Sequence, residues 1–277
     1  MPSTDRFSLD GLTAVVTGAE GSVGSAVVTE LVARGVRVIA LDVSESIVES
    51  AASWGATGRA VDVRDEDAVS AILAELASES GVDILVNNAG TNDRAAPFDV
   101  SMETWDRLMD INLRGYFLVA RAVARLQVSL GRGASIVNVS STAATVSLGR
   151  GNLVYGLSKA AVNQLTRELA VEWAADGIRV NAVQPAQIAT PAWDAARDKP
   201  EMADIYAQVI AGIPLRRLLD PDELVGPILF FASPAASFVT GTVLPVDGGN
   251  LALNPAGTVP GPTKADHPID TRRRHDQ

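Results

Sequence analysis

Short runs rich in β-branched residues alternate along this chain with longer segments in which apolar residues recur every three or four positions. Runs of the first kind predict buried strands, and segments of the second kind predict helices that bury one side. The predicted strands cover residues 12–17, 36–41, 57–61, 82–86, 135–141, 178–183 and 241–247. Helices are expected after each of the first six strands. This regular alternation predicts a single-domain α/β Rossmann fold over residues 1–253, a seven-stranded parallel doubly wound sheet with helices on both faces.

Two segments depart from that pattern. Residues 191–215 are helical in pattern but sparsely apolar, which suggests a lid over a substrate. Residues 254–277 are rich in proline and mixed charge, and they suggest a flexible tail or an arm on a neighbouring subunit.

Composition excludes several classes of function. The 277 residues contain no cysteine, and both histidines, His267 and His275, lie in the tail, so a metal site or a Ser-His-Asp triad is not expected in the body of the protein. A net charge of −10 argues against nucleic-acid and anionic-membrane partners. No apolar run is long enough to span a bilayer and no signal peptide is evident, so we expect a cytoplasmic protein.

A glycine-rich loop joins the first strand to the first helix. The sequence Gly18-Ala19-Glu20-Gly21-Ser22-Val23-Gly24 lies where a dinucleotide pyrophosphate would meet a helix N-terminus. Asp42, at the end of the second strand, is placed to accept hydrogen bonds from ribose hydroxyls and to repel a 2′-phosphate. Glu20 adds negative charge to the loop. Together they favour NAD over NADP, although Asp42 is also placed to cap the helix expected near Ser44.

Polar residues gather at the ends of later strands, where a doubly wound sheet binds ligands. Asn87-Asn88-Ala89-Gly90 ends the fourth strand and two serines end the fifth. Asn112 interrupts the apolar face of the following helix; the default reading is a hydrogen-bonded core amide, and the sharper one is a helix kink that holds a water.

Tyr155 and Lys159 carry the candidate chemistry. They are four residues apart and therefore lie on one face of a helix. A lysine ammonium one turn away, like a nearby cationic cofactor ring, favours the phenolate and so lowers the phenol pKa. Such a tyrosine can exchange a proton with an alcohol or a carbonyl. Alone, this spacing is equally typical of a surface helix, and the other motifs decide in favour of catalysis.

These motifs, in this order over residues 7–250, resemble the short-chain dehydrogenase/reductase family. The segment from Thr17 to Gly24 resembles its Thr-Gly-x-x-x-Gly-x-Gly loop, with Ser22 in place of the middle glycine, and residues 87–90 match its Asn-Asn-Ala-Gly motif. The resemblance implies a catalytic tetrad of Asn112, Ser141, Tyr155 and Lys159. Ser141 precedes Tyr155 by fourteen residues where the family usually has thirteen, so Ser140 is the alternative.

The resemblance also implies how these residues act. Tyr155 would exchange the proton of the substrate oxygen, Ser141 would hydrogen-bond that oxygen, Lys159 would bind the nicotinamide ribose, and Asn112 would hold a water. Metal is not implied. Homotetramers are common in the family, formed through helices near 101–130 and 154–175 and the last strand. The cofactor would contact Gly18, Glu20, Gly21, Ser22, Val23, Gly24, Asp42, Asp62, Val63, Asn88, Ala89, Gly90, Tyr155, Lys159, Pro185, Ile188 and Thr190.

The substrate is less well defined by sequence. The pocket wall is expected to include Asn92, Arg94, Thr142, Leu148, Arg150, Gln187, Trp193 and Tyr206. Asn92, Gln187 and the two arginines suit a sugar, a polyol or an anionic sugar acid, although solvent-exposed loops explain them equally well. We expect an NAD-dependent enzyme that interconverts a secondary alcohol and a ketone. An NADP-dependent ketone or 3-oxoacyl reductase and a non-catalytic dinucleotide-binding regulator remain alternatives.

Overall fold

The fold is built on one parallel sheet, with strand order β3-β2-β1-β4-β5-β6-β7. The computed structural model describes residues 5–77, 81–191, 193 and 199–254. Within them the strands are β1 Thr13–Thr17, β2 Arg37–Asp42, β3 Thr57–Ala60, β4 Ile84–Asn87, β5 Ala134–Val139, β6 Ile178–Pro185 and β7 Val243–Val246. Every neighbouring pair is parallel. The predicted seven-stranded, doubly wound Rossmann sheet is therefore confirmed.

Helices cover both faces of this sheet. They are α1 Ser22–Ala33, α2 Ile47–Ser53, α3 Glu66–Ala77, α4 Met102–Met109, α5 Gly115–Ser129, α6 Leu153–Glu172, α7 Pro200–Ala211 and α8 Pro221–Ala232. Short 3-10 turns span Thr142–Ala144, Ala174–Asp176 and Pro234–Ala236. No helix within the described ranges is long and apolar enough to cross a membrane.

Two buried clusters, one on each face, fix the sheet between its helix layers. On one face Val27 and Leu31 of α1 join Ile228 of α8 beneath the central strands. On the other, Val69 of α3 and Val119 of α5 pack on the opposite side chains of the same strands. Because side chains of a strand alternate between faces, the continuous apolar strand sequences supply both clusters at once.

Strand order determines where a ligand can bind. The chain turns from β1 outward to β2 and β3, and then returns to β4 on the other side of β1. This is the topological switch point, where the carboxyl ends of β1 and β4 diverge and leave a crevice. The loops after β1, β4, β5 and β6, which carry the expected functional residues, therefore meet at one edge.

Some boundaries differ from the sequence expectation. The helix expected near Ser44 begins at Ile47. The segment expected to be a lid is helical at Pro200–Ala211, while residues 192 and 194–198 lie outside the described part of the chain, as do residues 255–277 of the tail. The helix through Asn112 is interrupted: residues Asp110–Arg114 form a π-turn between α4 and α5. Such an insertion is a common cause of a helix kink at a functional site.

Candidate active site

Two adjoining cavities form one cleft along the carboxyl edge of the sheet. The first, of about 530 Å³, runs from Gly18 past Asp42 to Asp62. The second, of about 390 Å³, contains Ser141, Tyr155 and Lys159. Both are lined by Val23, Asn88, Gly90, Thr91, Ile188 and Thr190. A ligand lying in the first cavity can therefore extend directly to the hydroxyls of the second.

The glycine loop forms a tight cradle at the start of α1. Gly18 has φ +62°, and a Cβ added there would lie 2.7 Å from the Cα of Ala89. A Cβ on Gly24 would lie 2.2 Å from the carbonyl oxygen of Gly18. Gly18 and Gly21 line the cavity, whereas Gly24 lets the helix pack against the loop. This arrangement suits a pyrophosphate at a helix N-terminus.

Asp42 joins the glycine loop to the end of β2. One carboxylate oxygen accepts from the Glu20 amide at 3.0 Å, and the other accepts from the Ser44 amide at 3.2 Å. Asp42 also lines the first cavity, as expected for a residue that binds a ribose. The Ser44 amide lies in the turn before α2, whose N-cap residue is Ser46, so Asp42 does not cap that helix and the capping alternative is wrong.

Glu20 lies in the glycine loop, but its carboxylate does not point toward the cofactor cavity as the sequence suggested. Its carboxylate oxygens accept from the hydroxyls of Ser50 at 2.7 Å and Ser46 at 2.8 Å, both in the next βα unit. The Ser50 hydrogen bond, followed by that of Ser46, lowers the pKa of Glu20. The side chain is thus directed to α2, and Glu20 is absent from the described lining of either cavity.

The Asn-Asn-Ala-Gly motif ties the cleft together. The Thr17 hydroxyl accepts from the Asn88 amide at 3.0 Å and the Ala89 amide at 3.1 Å, and the Asn88 side chain donates to the Gly18 carbonyl at 2.9 Å. Asn87 instead points into the core, where its amide donates to the Tyr116 carbonyl at 3.1 Å. One asparagine fixes the glycine loop and the other fixes the helix beside it.

Asn112 is a fully buried amide with its hydrogen bonds made. Its Oδ1 accepts from the Thr91 amide at 2.8 Å, and its Nδ2 donates to the Thr91 carbonyl at 2.9 Å and to the Ser158 hydroxyl at 3.1 Å. The side chain therefore pairs with backbone after β4 and links it to the Tyr155 helix. These bonds account for the amide within the π-turn.

The two candidate serines face different directions, because successive residues in extended chain point to opposite sides. The Ser141 hydroxyl hydrogen-bonds the side chain of Tyr155 and accepts from the Ala143 amide at 3.2 Å. The Ser140 hydroxyl donates to the Lys159 carbonyl at 3.3 Å. Only the Ser141 hydroxyl is thus paired with the tyrosine.

Lys159 lies buried beneath Tyr155. Its Nζ donates to the Val139 carbonyl at 2.9 Å and to the Tyr116 hydroxyl at 3.1 Å. Tyr116 in turn donates to the same Val139 carbonyl at 3.0 Å. The Lys159 Nζ is 6.0 Å from the centre of the Tyr155 ring. The sequence indicated the Tyr155–Lys159 pair but not Tyr116, which falls in an ordinary apolar stretch.

Burial dominates the titration of this group. It lowers the pKa of Lys159 to about 7. Burial raises the pKa of Tyr155, while the Ser141 hydrogen bond acts in the opposite direction. Within the chain itself burial therefore outweighs the lowering of the Tyr155 pKa that the sequence led us to expect, and only the Ser141 hydrogen bond opposes it. A bound nicotinamide ring would supply the second positive charge that the expectation included.

Most expected ligand-contacting residues line the cleft. Asn92, Arg94, Thr142, Leu148, Arg150, Gln187 and Trp193 line the second cavity. Tyr206 is not among the described lining residues, and its ring packs edge-on against Trp193 at 6.2 Å between centroids. Lining residues that sequence reasoning missed include Val43, Val61, Arg64, Thr91, Ile111, Val139, Asn152 and Ala186. Most of these residues are next to a predicted motif in the sequence, and that proximity is the signal from which their place in the cavity wall could have been predicted.

Known proteins that are similar in sequence to this chain are oxidoreductases, as the geometry of the cleft suggests. A family model described as enoyl-(acyl carrier protein) reductase matches residues 18–250. Galactitol 2-dehydrogenase (L-tagatose-forming) of Cereibacter sphaeroides is 40% identical over 248 residues, which are 88% of this chain and 96% of the relative.

The solved structures that resemble this chain include dehydrogenases as well. A putative NAD(P)-dependent gluconate 5-dehydrogenase from Beutenbergia cavernae, with NADP bound at low occupancy, has a TM-score of 0.83 and 37% identity over 90% of this chain and 100% of its own. A gluconate 5-dehydrogenase from Burkholderia cenocepacia, in complex with NADP and tartrate, has a TM-score of 0.83 and 32% identity over 90% and 99% of the two chains.

A dinucleotide cleft that opens onto a serine, a tyrosine and a lysine defines an oxidoreductase acting on alcohols and ketones. The chain belongs to the short-chain dehydrogenase/reductase family. It interconverts a secondary alcohol and a ketone, as the sequence predicted.

Proposed function

We propose that the protein is an NAD-dependent dehydrogenase of polyols or sugar acids, with Tyr155 as general acid and base. The observation that carries this proposal is the continuous cleft that joins the glycine loop to Ser141, Tyr155 and Lys159. Relatives named for galactitol and gluconate support the substrate range. Cleft and relatives together favour a small, hydroxylated substrate.

The residues of the cleft fit a nicotinamide dinucleotide. A side chain at Gly18 would close the cradle, as the 2.7 Å approach of Ala89 shows. We assign the pyrophosphate to Gly18, Gly21, Ser22 and Val23, the adenosine ribose to Asp42, and the adenine end to Asp62 and Val63. Asn88, Ala89 and Gly90 would lie along the cofactor, and Pro185, Ile188 and Thr190 by the nicotinamide.

The preference for NAD rests on Asp42. Its carboxylate faces the first cavity and is fixed there by two backbone amides. A 2′-phosphate would meet this charge, and the following residue, Val43, offers no cation in compensation. Glu20 adds little to the preference because its carboxylate is directed to Ser46 and Ser50.

Each catalytic residue has a role that follows from its contacts. A nicotinamide cofactor held in the first cavity would supply hydride transfer to and from the substrate carbon. Tyr155 removes or returns the hydroxyl proton, and Ser141, already paired with Tyr155, orients the same oxygen. Lys159 would offer its remaining N–H donor to the ribose hydroxyls while it keeps its bonds to Val139 and Tyr116. Asn112 holds the loop after β4 and the Tyr155 helix in register.

NADP-dependent ketone reduction is the second candidate, because the two solved relatives described above were determined with NADP. Calorimetric titration with NAD and with NADP, followed by turnover of galactitol and gluconate, separates the candidates. We expect tighter binding of NAD and oxidation of at least one of these alcohols. Tighter binding of NADP would favour the reductase, and cofactor binding with no turnover of any alcohol or ketone would favour a non-catalytic regulator.

We also propose a cytoplasmic homotetramer. Apolar side chains on α6 support the assembly: Leu153, Leu157 and Val171 are 42%, 44% and 77% exposed in the single chain. Sedimentation of the full chain tests the oligomeric state, and a monomer at micromolar concentration would contradict it.

A further inference from the structure

The substrate end of the second cavity carries two positive charges and no described negative one. Arg94 lies in the loop after β4, and Arg150 lies in the loop before α6. No aspartate or glutamate is among the described residues that line this cavity. For a chain with a net charge of −10, this local excess of positive charge is unusual.

Hydrogen bonds between residues close to Arg94 and residues that follow Arg150 hold the two arginine loops together. The Ala95 amide, next to Arg94, donates to the carbonyl of Gly151, next to Arg150, at 3.2 Å. The Asn92 side chain donates to the Asn152 side chain at 2.8 Å. A Cβ on Gly151 would lie 2.9 Å from the Ala95 nitrogen, so the backbones approach as closely as glycine permits.

Backbone conformation also fixes Arg150. It has φ 53°, between Gly149 at 61° and Gly151 at 76°. A non-glycine residue in the left-handed region is strained, and such residues concentrate at ligand clamps. The loop thus holds an arginine where a glycine or asparagine would be less strained.

Neither guanidinium is neutralised within the described chain. The carboxylate nearest in sequence, Asp93, accepts from Arg107 at 2.9 Å. Burial lowers the pKa of Arg150, and the positive charge of Arg94 lowers it further. An arginine guanidinium in a protein nevertheless carries its positive charge at neutral pH. Two cations held together are stabilised when an anion bridges them.

We propose that Arg94 and Arg150 form a site for an anionic substituent of the substrate, a carboxylate or sulfonate that shares a molecule with the secondary alcohol at Tyr155. The inference rests on the proposed function and narrows it: the substrate is a hydroxy acid, and neutral polyols are poor substrates. Arginine forks match the planar geometry of a carboxylate, and a sulfonate offers three oxygens to the same donors.

Matched substrates and variants test this site. The substrates are gluconate and glucitol, cis-4-hydroxycyclohexanecarboxylate and its carboxamide, and 2-hydroxypropanesulfonate to separate sulfonate from carboxylate. The variants are Arg94→Gln, Arg150→Gln, the conservative Arg150→Lys, and Arg37→Gln as a control that removes an exposed charge at the opposite edge of the sheet. Calorimetric titration with NAD checks that each variant retains its cofactor site.

We expect kcat/KM for the acids to fall about 10- to 100-fold in each glutamine variant, mainly through KM, with less loss in Arg150→Lys. Turnover of the neutral partners should fall much less than turnover of the acids, and binding of NAD should stay unchanged. Arg37→Gln should behave like the wild type on every substrate. Equal losses on acids and neutral alcohols, or wild-type kinetics in both glutamine variants, would overturn the site while leaving the dehydrogenase intact. No turnover of any alcohol by the wild type would overturn the proposed function itself.

Discussion

The ammonium nitrogen of Lys159 lies 3.1 Å from the hydroxyl oxygen of Tyr116, and both groups donate to the carbonyl of Val139. Tyr116 thereby provides a hydrogen-bond acceptor for the charged form of Lys159. Burial lowers the pKa of this lysine to about 7. Because this tyrosine is itself buried, its own pKa is raised and it remains a neutral phenol. We infer that Tyr116 is a positioning residue for Lys159.

Tyr116→Phe removes that acceptor and should lower the pKa of Lys159 further. Ketone reduction needs the charged lysine and the protonated tyrosine, so its alkaline limb should move to lower pH by roughly 0.5 to 1 pH unit. The measurement is the pH profile of kcat/KM, with Tyr206→Phe as a control whose ring packs against Trp193. An unchanged profile, with only a lower unfolding temperature, would show that Tyr116 is merely structural.

Buried Lys159 should also make stability depend on pH. Its pKa falls from 10.5 to about 7 on burial, so between these values the unfolded chain binds more protons than the folded one. Unfolding free energy should therefore rise with pH across this window, by up to about 1.4 kcal/mol per pH unit from this group. Below pH 7 the full penalty of burying the charge is present.

Lys159→Met removes this contribution. The difference in unfolding free energy between the variant and the wild type should shift in favour of the wild type as pH rises from 7 to 10. Urea unfolding at several pH values measures it. A difference that is constant over this range would mean that the buried lysine keeps its ordinary pKa.

Asp42 and Glu20 are two carboxylates with different surroundings, and they should behave differently. Asp42→Asn keeps one acceptor for the Glu20 amide but removes the charge that faces the cavity. The preference for NAD over NADP should fall roughly 10- to 100-fold. Glu20→Gln should leave it unchanged, because that side chain faces Ser46 and Ser50. Calorimetric titration of both variants with NAD and with NADP measures this preference. A preference that is unchanged in Asp42→Asn and reduced in Glu20→Gln would refute the assignment to Asp42.

The paired serines allow a similar comparison. Ser141→Ala removes the hydroxyl that pairs with Tyr155, and kcat should drop about 100- to 1000-fold. Ser140→Ala removes a hydrogen bond to the Lys159 carbonyl and should cost little in kcat. Steady-state kinetics of both variants suffices. A larger loss in Ser140→Ala would reassign the catalytic serine.

Sequence predicted the strands, their parallel doubly wound sheet and the Tyr155–Lys159 pair, because periodicity and spacing are local signals. Sequence did not decide whether Ser140 or Ser141 is the catalytic serine. Neighbouring residues of a strand point to opposite sides, so a shift of one residue in the alignment exchanges the side chain that faces Tyr155. Sequence also misplaced Glu20, whose partners Ser46 and Ser50 belong to the next unit of the fold.

Tertiary contacts account for the remaining differences. Tyr116 reaches Lys159 from a different helix, 43 residues away in the chain. Arg94 and Arg150 become one site only through hydrogen bonds between their loops. Neither relationship has a signature in spacing or composition, and the electrostatic consequences of burial follow from the folded chain alone.

The most direct test of the central claim is reduction of NAD by a secondary alcohol, compared between the wild type and Tyr155→Phe. We expect wild-type protein with gluconate or galactitol to accumulate reduced NAD, measured by nicotinamide absorbance. The Tyr155→Phe variant should bind NAD with similar affinity by calorimetry, but its kcat should be lower than that of the wild type by a factor of about 1000 or more. Wild-type turnover in Tyr155→Phe would contradict the account, because the proton would then pass through another group.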